Sequence, residues 1–138
     1  MNEDNRTHLE FIQQTITRMN TNAFQLKGWS AALVTALFAL AVKDTNPKFV
    51  LLALLSTLVF WLFDAYFLMQ ERWYRSLFDF LRTKDDTQIA RLNHQFSMNP
   101  TDFHVAREPL LKVAARPTVA GFYLILLAAA AIAYCLVR

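Results

Sequence analysis

The sequence predicts an all-α membrane protein: a long antiparallel transmembrane helical hairpin with cytoplasmic extensions, followed by a third, C-terminal transmembrane helix. The 138 residues are 55% hydrophobic, with a mean hydropathy of +0.23, which is high for a soluble domain. The apolar residues form three blocks, at 28–42, 49–69 and 118–137. A polar turn, Asp44-Thr45-Asn46-Pro47, separates the first two blocks, and such a short connection favours antiparallel neighbours.

The polar segment before the first block carries a heptad pattern. Its apolar positions recur at alternating spacings of three and four: Leu9, Ile12, Ile16, Met19, Ala23 and Leu26. This spacing is typical of a helix that packs along another helix. Because no Gly or Pro precedes Gly28 in this segment, we expect one helix over about 7–42. It consists of a cytoplasmic helix, 7–27, and a first transmembrane segment, about 28–42.

The second block has the length of a membrane span and continues beyond it as a polar helix. About 21 residues, 49–69, contain one charge, and about 20 apolar residues suffice to cross a bilayer. The following segment has no helix breaker and places Glu71 four residues before Arg75, and Arg75 four before Asp79, a spacing that favours ion pairs on a helix. We expect a transmembrane segment at about 48–69 and a cytoplasmic extension at 70–83, which together with 1–47 form an N-terminal unit, 1–83.

The single charge in this block is Asp64, and the hairpin register predicts its partner. The two helices have similar lengths of about 36 residues, or roughly 54 Å each. If the fold is centred near Thr45 and Asn46, Asp64 lies opposite Lys27, and Glu71 lies near Asn20.

Three interpretations of Asp64 remain open, because a carboxylate at membrane depth is a functional-site candidate until its partner is known. The first is a structural ion pair with Lys27. In the second, the carboxylate reaches toward the cytoplasm from a position about five residues inside the span. In the third, Asp64 lines a conduction path or gate with Thr57 and Glu71. The candidates for intramembrane charges or a gate are then Asp64, Lys27, Glu71, Arg72 and Arg75, of which Asp64, Glu71 and Arg75 are the switchable charges of an effector.

Residues 84–116 are predicted to form a cytoplasmic loop with short amphipathic helices. Asp86 or Thr87 could cap the first, with Ile89, Leu92 and Phe96 on one face, and a second piece is expected at 108–115. These helices either lie at the lipid headgroups, with Phe96, Phe103 and Leu110 inserted, or fold back on the hairpin extensions. The third transmembrane helix is expected at 117–138.

The basic residues predict the orientation of the chain. Eleven of the 14 Lys and Arg residues precede the first block or follow the second, and three, Lys43, Lys48 and Arg138, lie on the other side. The positive-inside rule then places the N-terminus and the loop in the cytoplasm and the C-terminus on the outer side of the membrane. Acidic residues interrupt the basic ones in the loop, which argues against nucleic acid as a partner.

Small residues predict close helix packing and a homo-oligomer. They form two sets with spacings of four: Gly28, Ala32 and Ala36 in the first span, and Ala129 and Ala133 in the third. Membrane helices pack closely along such faces. Three helices offer few internal surfaces for an Asp, a heptad seam and two small-residue faces, so we expect contacts between subunits.

Nothing in the sequence predicts an enzyme. No nucleophile, base and orienting group can be assembled, and two glycines in or beside the apolar blocks cannot form a phosphate loop. No cluster of His, Cys and carboxylate residues has metal-ligand spacing. We therefore expect no catalytic residues, no metal and no cofactor.

One stretch resembles a known family. Residues 60–78, FWLFDAYFLMQERWYRSLF, follow a polar helix and a first span that begins Lys27-Gly28-Trp29. Together they resemble the SLATT-type membrane proteins over roughly residues 7–83. The most specific positions are Asp64, Tyr66, Glu71, Arg72 and Arg75.

The resemblance implies a small effector of prokaryotic anti-phage defence in the bacterial inner membrane, with the C-terminus in the periplasm. Such an effector perforates or depolarises the membrane when a soluble sensor or enzyme, encoded nearby, activates it. The family pattern has two transmembrane helices, and this sequence adds a third. Two functions therefore stay open. One is an oligomeric pore-forming effector, and the other is a membrane-anchored scaffold that recruits a soluble complex without conducting ions.

Overall fold

The computed structural model describes residues 3–92 and 96–137, with the side chain at 137 left out, so Arg138 of the predicted third span lies outside the described residues. Every regular element in this part of the chain is helical. Two long helices come first, α1 (Glu3–Asp44) and α2 (Lys48–Arg82), and they are followed by α3 (Asp86–Arg91) and a 3₁₀ helix (Pro100–Phe103). Helices α4 (Leu110–Ala114) and α5 (Pro117–Val137) complete the chain.

Three of these helices, α1, α2 and α5, are long and apolar enough to cross a membrane. The long helices begin and end close to their predicted limits. Helix α1 starts four residues before the predicted residue 7 and stays helical through Gly28, because no neighbouring element forces a break there.

A short, hydrogen-bonded turn connects α1 and α2. Thr45 adopts a left-handed conformation, with φ of 48°, and the Asn46 N–H donates to the Ala41 carbonyl at 3.2 Å. This pattern ends α1 by satisfying one of its last carbonyls. The Asn46 side chain then accepts from the Lys48 N–H at 3.0 Å, which satisfies a free donor at the start of α2.

Helices α1 and α2 are in contact at both ends and in the middle. Beside the turn, Ala41 and Val50 are fully buried in one cluster, and further along Val34 packs with Ala53. At the far end a third cluster, here called the extension core, contains Ile12, Ile16, Leu77, Leu81 and Phe103. Burial of these apolar side chains stabilises the polar ends of both helices.

The loop after α2 folds back on the extensions, as in the second predicted alternative. Ile89 is buried, and Phe103 belongs to the extension core, so Phe103 does not insert into headgroups. Leu110 packs against the cluster of α2 and α5 residues around Tyr123. Phe96 is 44% exposed, and its ring centroid lies 5.7 Å from that of His8.

The predicted caps of α3 are wrong by one or two residues. Asp85 is the N-cap, since its carboxylate accepts from the Gln88 N–H at 2.8 Å and the Gln88 side chain accepts from the Asp85 N–H at 3.4 Å. An acid followed by a glutamine three residues later is the reciprocal capping arrangement, which neither Asp86 nor Thr87 can form. The Thr87 hydroxyl and the Gln88 amide lower the pKa of Asp85.

Candidate functional site

The fully buried carboxylate of Asp64 is the centre of the candidate site. Its side chain is 0% exposed, and it lies on the face of α2 that α1 and α5 cover. Thr57, seven residues earlier on the same face, is also fully buried, and its hydroxyl donates to the Ala53 carbonyl of its own helix at 2.8 Å. Thr57 and Asp64 are thus enclosed within one chain.

Lys27 is the cation beside Asp64. Its Nζ lies 2.5 Å from Asp64 Oδ2, and its side chain is 28% exposed, so the pairing expected from the register is present. The other carboxylate oxygen, Oδ1, has no hydrogen-bond partner among the described residues. A buried ion pair of this kind contributes little net stability, because desolvation of both charges offsets their attraction.

Helix α5 supplies a second neighbour of Asp64 that the sequence analysis missed. The Tyr123 hydroxyl lies beside Asp64 and Ser30, without hydrogen-bond geometry to either. Its ring stacks on Trp61, with centroids 6.1 Å apart. A tyrosine within the apolar third span was the available signal, but Tyr134 carries the same signal.

The second predicted charge pair of the site also forms. Glu71 is 8% exposed, and its Oε1 lies 2.6 Å from Arg75 Nη2. The predicted pair of Arg75 with Asp79 is absent from the ion pairs of the described residues, because Asp79 instead contacts Arg82 at 2.8 Å. The shorter i,i+3 partner is within easier reach of the short aspartate side chain.

These four charged residues, Lys27, Asp64, Glu71 and Arg75, border one groove, here called the junction groove. It has a volume of about 360 Å³. Its remaining walls include Asn20 and Phe24 of α1, Leu68 of α2 and Thr118 of α5. The structure therefore brings together four of the five predicted charge candidates at the point where the apolar segments end.

Arg72, the fifth candidate, lies on α2 outside the junction groove and contacts a segment, residues 105–116, that packs along α2 and is here called the strap. Arg72 Nε and Arg116 Nη2 both donate to the carboxylate of Glu108, at 3.1 and 3.0 Å. The indole N–H groups of Trp73 and Trp61 donate to the carbonyls of Val105 and Ala114, at 3.0 and 3.1 Å. Glu108 carries no local sequence signal for this role, because only the fold brings it to Arg72, 36 residues away in the chain.

The two arginines hold the pKa of Glu108 below its ordinary value of 4.5. A group whose pKa is lower in the folded state stabilises that state above its ordinary pKa, and the contribution disappears as the pH falls through the folded value. Acidification below about pH 4.5 should therefore loosen the strap before it affects the apolar clusters.

We expect Glu108→Gln to loosen the strap at neutral pH by removing the charge that both arginines share. Limited proteolysis of the detergent-solubilised protein should cut between residues 105 and 109 faster in the variant. The rate should also depend less on pH between 3 and 6 than in the unchanged protein. Glu10→Gln, an exposed substitution on α1, is the control, and equal cleavage of both variants would contradict the role of Glu108.

The small residues of α1 have free space around them. Gly28, Ala32 and Ala36 are exposed, and no atom from another part of the described chain lies within 4 Å of a Cβ built at Gly28. Ala129 and Ala133 on α5 are partly exposed. Of the apolar seam, Ile12, Ile16 and Ala23 are buried, whereas Leu9, Met19 and Leu26 are half-buried.

Comparison with known proteins identifies no relative of this chain. No protein-family model, curated protein or solved structure matches the chain. The family suggested by residues 60–78 therefore stays a prediction. Among the described residues, no three His, Cys, Asp or Glu side chains could together hold a metal ion.

Proposed function

We propose that this protein is a small, oligomeric, multi-pass inner-membrane effector of a prokaryotic anti-phage defence system, of the SLATT type, controlled by a soluble companion protein. It acts on membrane integrity rather than as an enzyme. The N-terminus and the loop lie in the cytoplasm and the C-terminus in the periplasm, in keeping with the distribution of Lys and Arg.

The observation that carries the proposal is the buried pair of Asp64 and Lys27. Apolar residues of similar size would fill this position at equal or lower free energy. An ionisable group inside a candidate span is therefore a functional-site hypothesis by default. Here it lies beside a second pair, Glu71 and Arg75, in a groove where the apolar segments meet the extensions.

The proposal includes an antiparallel hairpin formed by α1 and α2. Contacts of Ala41 with Val50 near the turn, and of Ile12 and Ile16 with Leu77 and Leu81 far from it, support an antiparallel arrangement of α1 and α2. In such a frame a displacement of the extensions is transmitted along rigid helices to the charges in the junction groove.

The described conformation corresponds to a resting state. Thr57, Ser30 and Asp64 are fully buried inside one chain, so no polar stripe of these residues faces outward. Subunits associate through the exposed face of Gly28, Ala32 and Ala36, where close approach of helices is unhindered. Activation then separates α5 from α2, and the enclosed polar residues become the lining of a path for ions.

A membrane-anchored scaffold is the second candidate function, and two exposed phenylalanine rings on α1 favour it. Phe11 and Phe24 are 48% and 77% exposed on the part of α1 that precedes the first apolar block. Exposed aromatics on an extension are typical anchors for a protein partner. In this case α1 recruits a soluble complex, and the spans serve as an anchor.

Expression in cells that carry a potential-sensitive dye tests the effector directly. Together with its activating companion, the protein should depolarise the membrane, and Asp64→Asn should change that response by at least about tenfold, since it removes a buried charge. Asp79→Asn, which alters an exposed ion pair, should leave it unchanged. If the membrane potential stays unchanged, the effector function is contradicted. If a soluble complex also co-purifies with the protein and is lost in the Phe24→Ser variant, the scaffold function is supported.

A further inference from the structure

Helix α5 packs against α1 and α2 mainly through apolar side chains. Among its described residues, three are buried, Val119, Tyr123 and Ala130, and of these side chains only that of Tyr123 carries a polar atom. Val119 and Tyr123 pack with Ala65 of α2. Because lipid tails are as apolar as these side chains, the hydrophobic effect does not hold membrane helices together. The position of α5 therefore depends on close packing and on the polar contact that Tyr123 can make.

The hydroxyl of Tyr123 is an unsatisfied donor inside the protein. It is buried, has no hydrogen-bond partner among the described residues, and lies beside Asp64 and Ser30. A buried donor without a partner is costly, because it has lost its hydrogen bonds to water. The Ser30 hydroxyl already donates to the Lys27 carbonyl at 2.9 Å. Two acceptors are therefore open to Tyr123, the Ser30 oxygen and the Asp64 carboxylate.

Asp64 has the opposite deficiency. Its Oδ1 is a buried acceptor without a hydrogen-bond partner among the described residues, whereas Oδ2 contacts Lys27. An ionised carboxylate can only accept hydrogen bonds, and a bond to a charged acceptor is stronger than a bond to a neutral oxygen such as that of Ser30. A small adjustment of the Tyr123 side chain would satisfy both buried atoms at once.

Trp61 restrains the ring that carries this hydroxyl. The rings of Trp61 and Tyr123 are nearly parallel, with an angle of 9° between their planes and centroids 6.1 Å apart. The Trp61 indole N–H also donates to the Ala114 carbonyl at 3.1 Å, just before α5 begins. Because the ring is held in this way, the Tyr123 hydroxyl stays close to Asp64.

We propose that Tyr123 is a latch that fixes α5 to α2, in which its hydroxyl donates to Oδ1 of Asp64 while Lys27 contacts Oδ2. This bond sets the depth and the rotation of α5, because no other polar side chain of that helix is buried among its described residues. Separation of α5 from α2 breaks the bond and leaves Asp64 with Lys27 alone. The latch does not depend on the proposed effector function, since it operates equally in a scaffold.

Infrared spectroscopy of the detergent-purified full chain, with isotope-labelled aspartate, tests the hydrogen bond. Asp64→Asn identifies the carboxylate band of Asp64 as the band that disappears. Tyr123→Phe keeps the ring, and it should shift that band because the carboxylate loses a donor. Tyr134→Phe makes the same change at a half-buried position near the other end of α5 and should leave the band in place. An unshifted band in Tyr123→Phe, or an equal shift in Tyr134→Phe, would overturn the proposal.

Hydrogen exchange measures how firmly the latch holds α5. Tyr123→Phe should raise the exchange rates of amides in residues 118–124 about tenfold, because one hydrogen bond to a charged acceptor is lost. Tyr134→Phe should change these rates by less than about twofold. In the Asp64→Asn chain, Tyr123→Phe should have a much smaller effect, since the charged acceptor is already gone. An equal effect with and without the Asp64 charge would show that Tyr123 acts through packing alone and refute the latch.

Discussion

Replacing Lys27 with Met is expected to lower the free energy of unfolding by about 3 kcal/mol, because it leaves the carboxylate of Asp64 buried without its cation. Asp64 is fully buried and its Oδ2 lies 2.5 Å from Lys27 Nζ, so the variant leaves a buried carboxylate without its cation. Titration of the detergent-solubilised protein with SDS, followed by circular dichroism, measures the change.

Further substitutions test whether the loss of stability comes from the ion pair of Lys27 with Asp64. Lys48→Met removes an exposed cation beside the turn and should change stability by less than about 0.5 kcal/mol. Asp64→Asn should also weaken folding and assembly, and Lys27→Gln in the same chain should restore part of that loss. If the changes in the free energy of unfolding of the two single variants sum to that of the double variant, Lys27 and Asp64 are not energetically coupled.

Leu77→Ala is expected to cost about 2–5 kcal/mol, because it creates a cavity in the extension core. Leu77 is 0% exposed and packs with Ile12, Ile16, Leu81 and Phe103. The loss should release the loop that Phe103 fixes to the extensions, while the three apolar helices remain formed. Hydrogen exchange should therefore increase first in residues 84–109 and in the extension parts of α1 and α2.

Leu111→Ala is the matched control, since it makes the same chemical change at a side chain that is 79% exposed. It should alter stability by no more than about 0.5 kcal/mol. Equal destabilisation by the two substitutions would mean that the loop is not fixed through the extension core.

The long helices could be predicted from the sequence because their signals are local. Apolar blocks, the absence of breakers and the polar turn around Asn46 fix α1 and α2 to within a few residues. Because the two helices have nearly equal lengths on either side of that turn, the register between them also predicted Lys27 as the partner of Asp64. Glu71 and Arg75 followed from helical spacing alone.

The loop and the role of α5 could not be predicted in the same way. Glu108 meets Arg72 across 36 residues, and Tyr123 reaches Asp64 from a helix with no polar periodicity. Such contacts depend on how elements dock, which no local pattern encodes. The choice between lipid and protein for Phe103 was likewise settled by docking, since one amphipathic face suits either environment.

The structure of the assembled protein in lipid nanodiscs, determined by electron cryo-microscopy with the activating companion bound, tests the central claim most directly. We expect an oligomer whose subunits meet along Gly28, Ala32 and Ala36, with α5 displaced from Asp64 and a hydrated passage that includes Thr57 and Asp64. A monomer, or an oligomer whose axis is sealed or filled with lipid while Asp64 stays enclosed by Lys27 and Tyr123, would contradict the account.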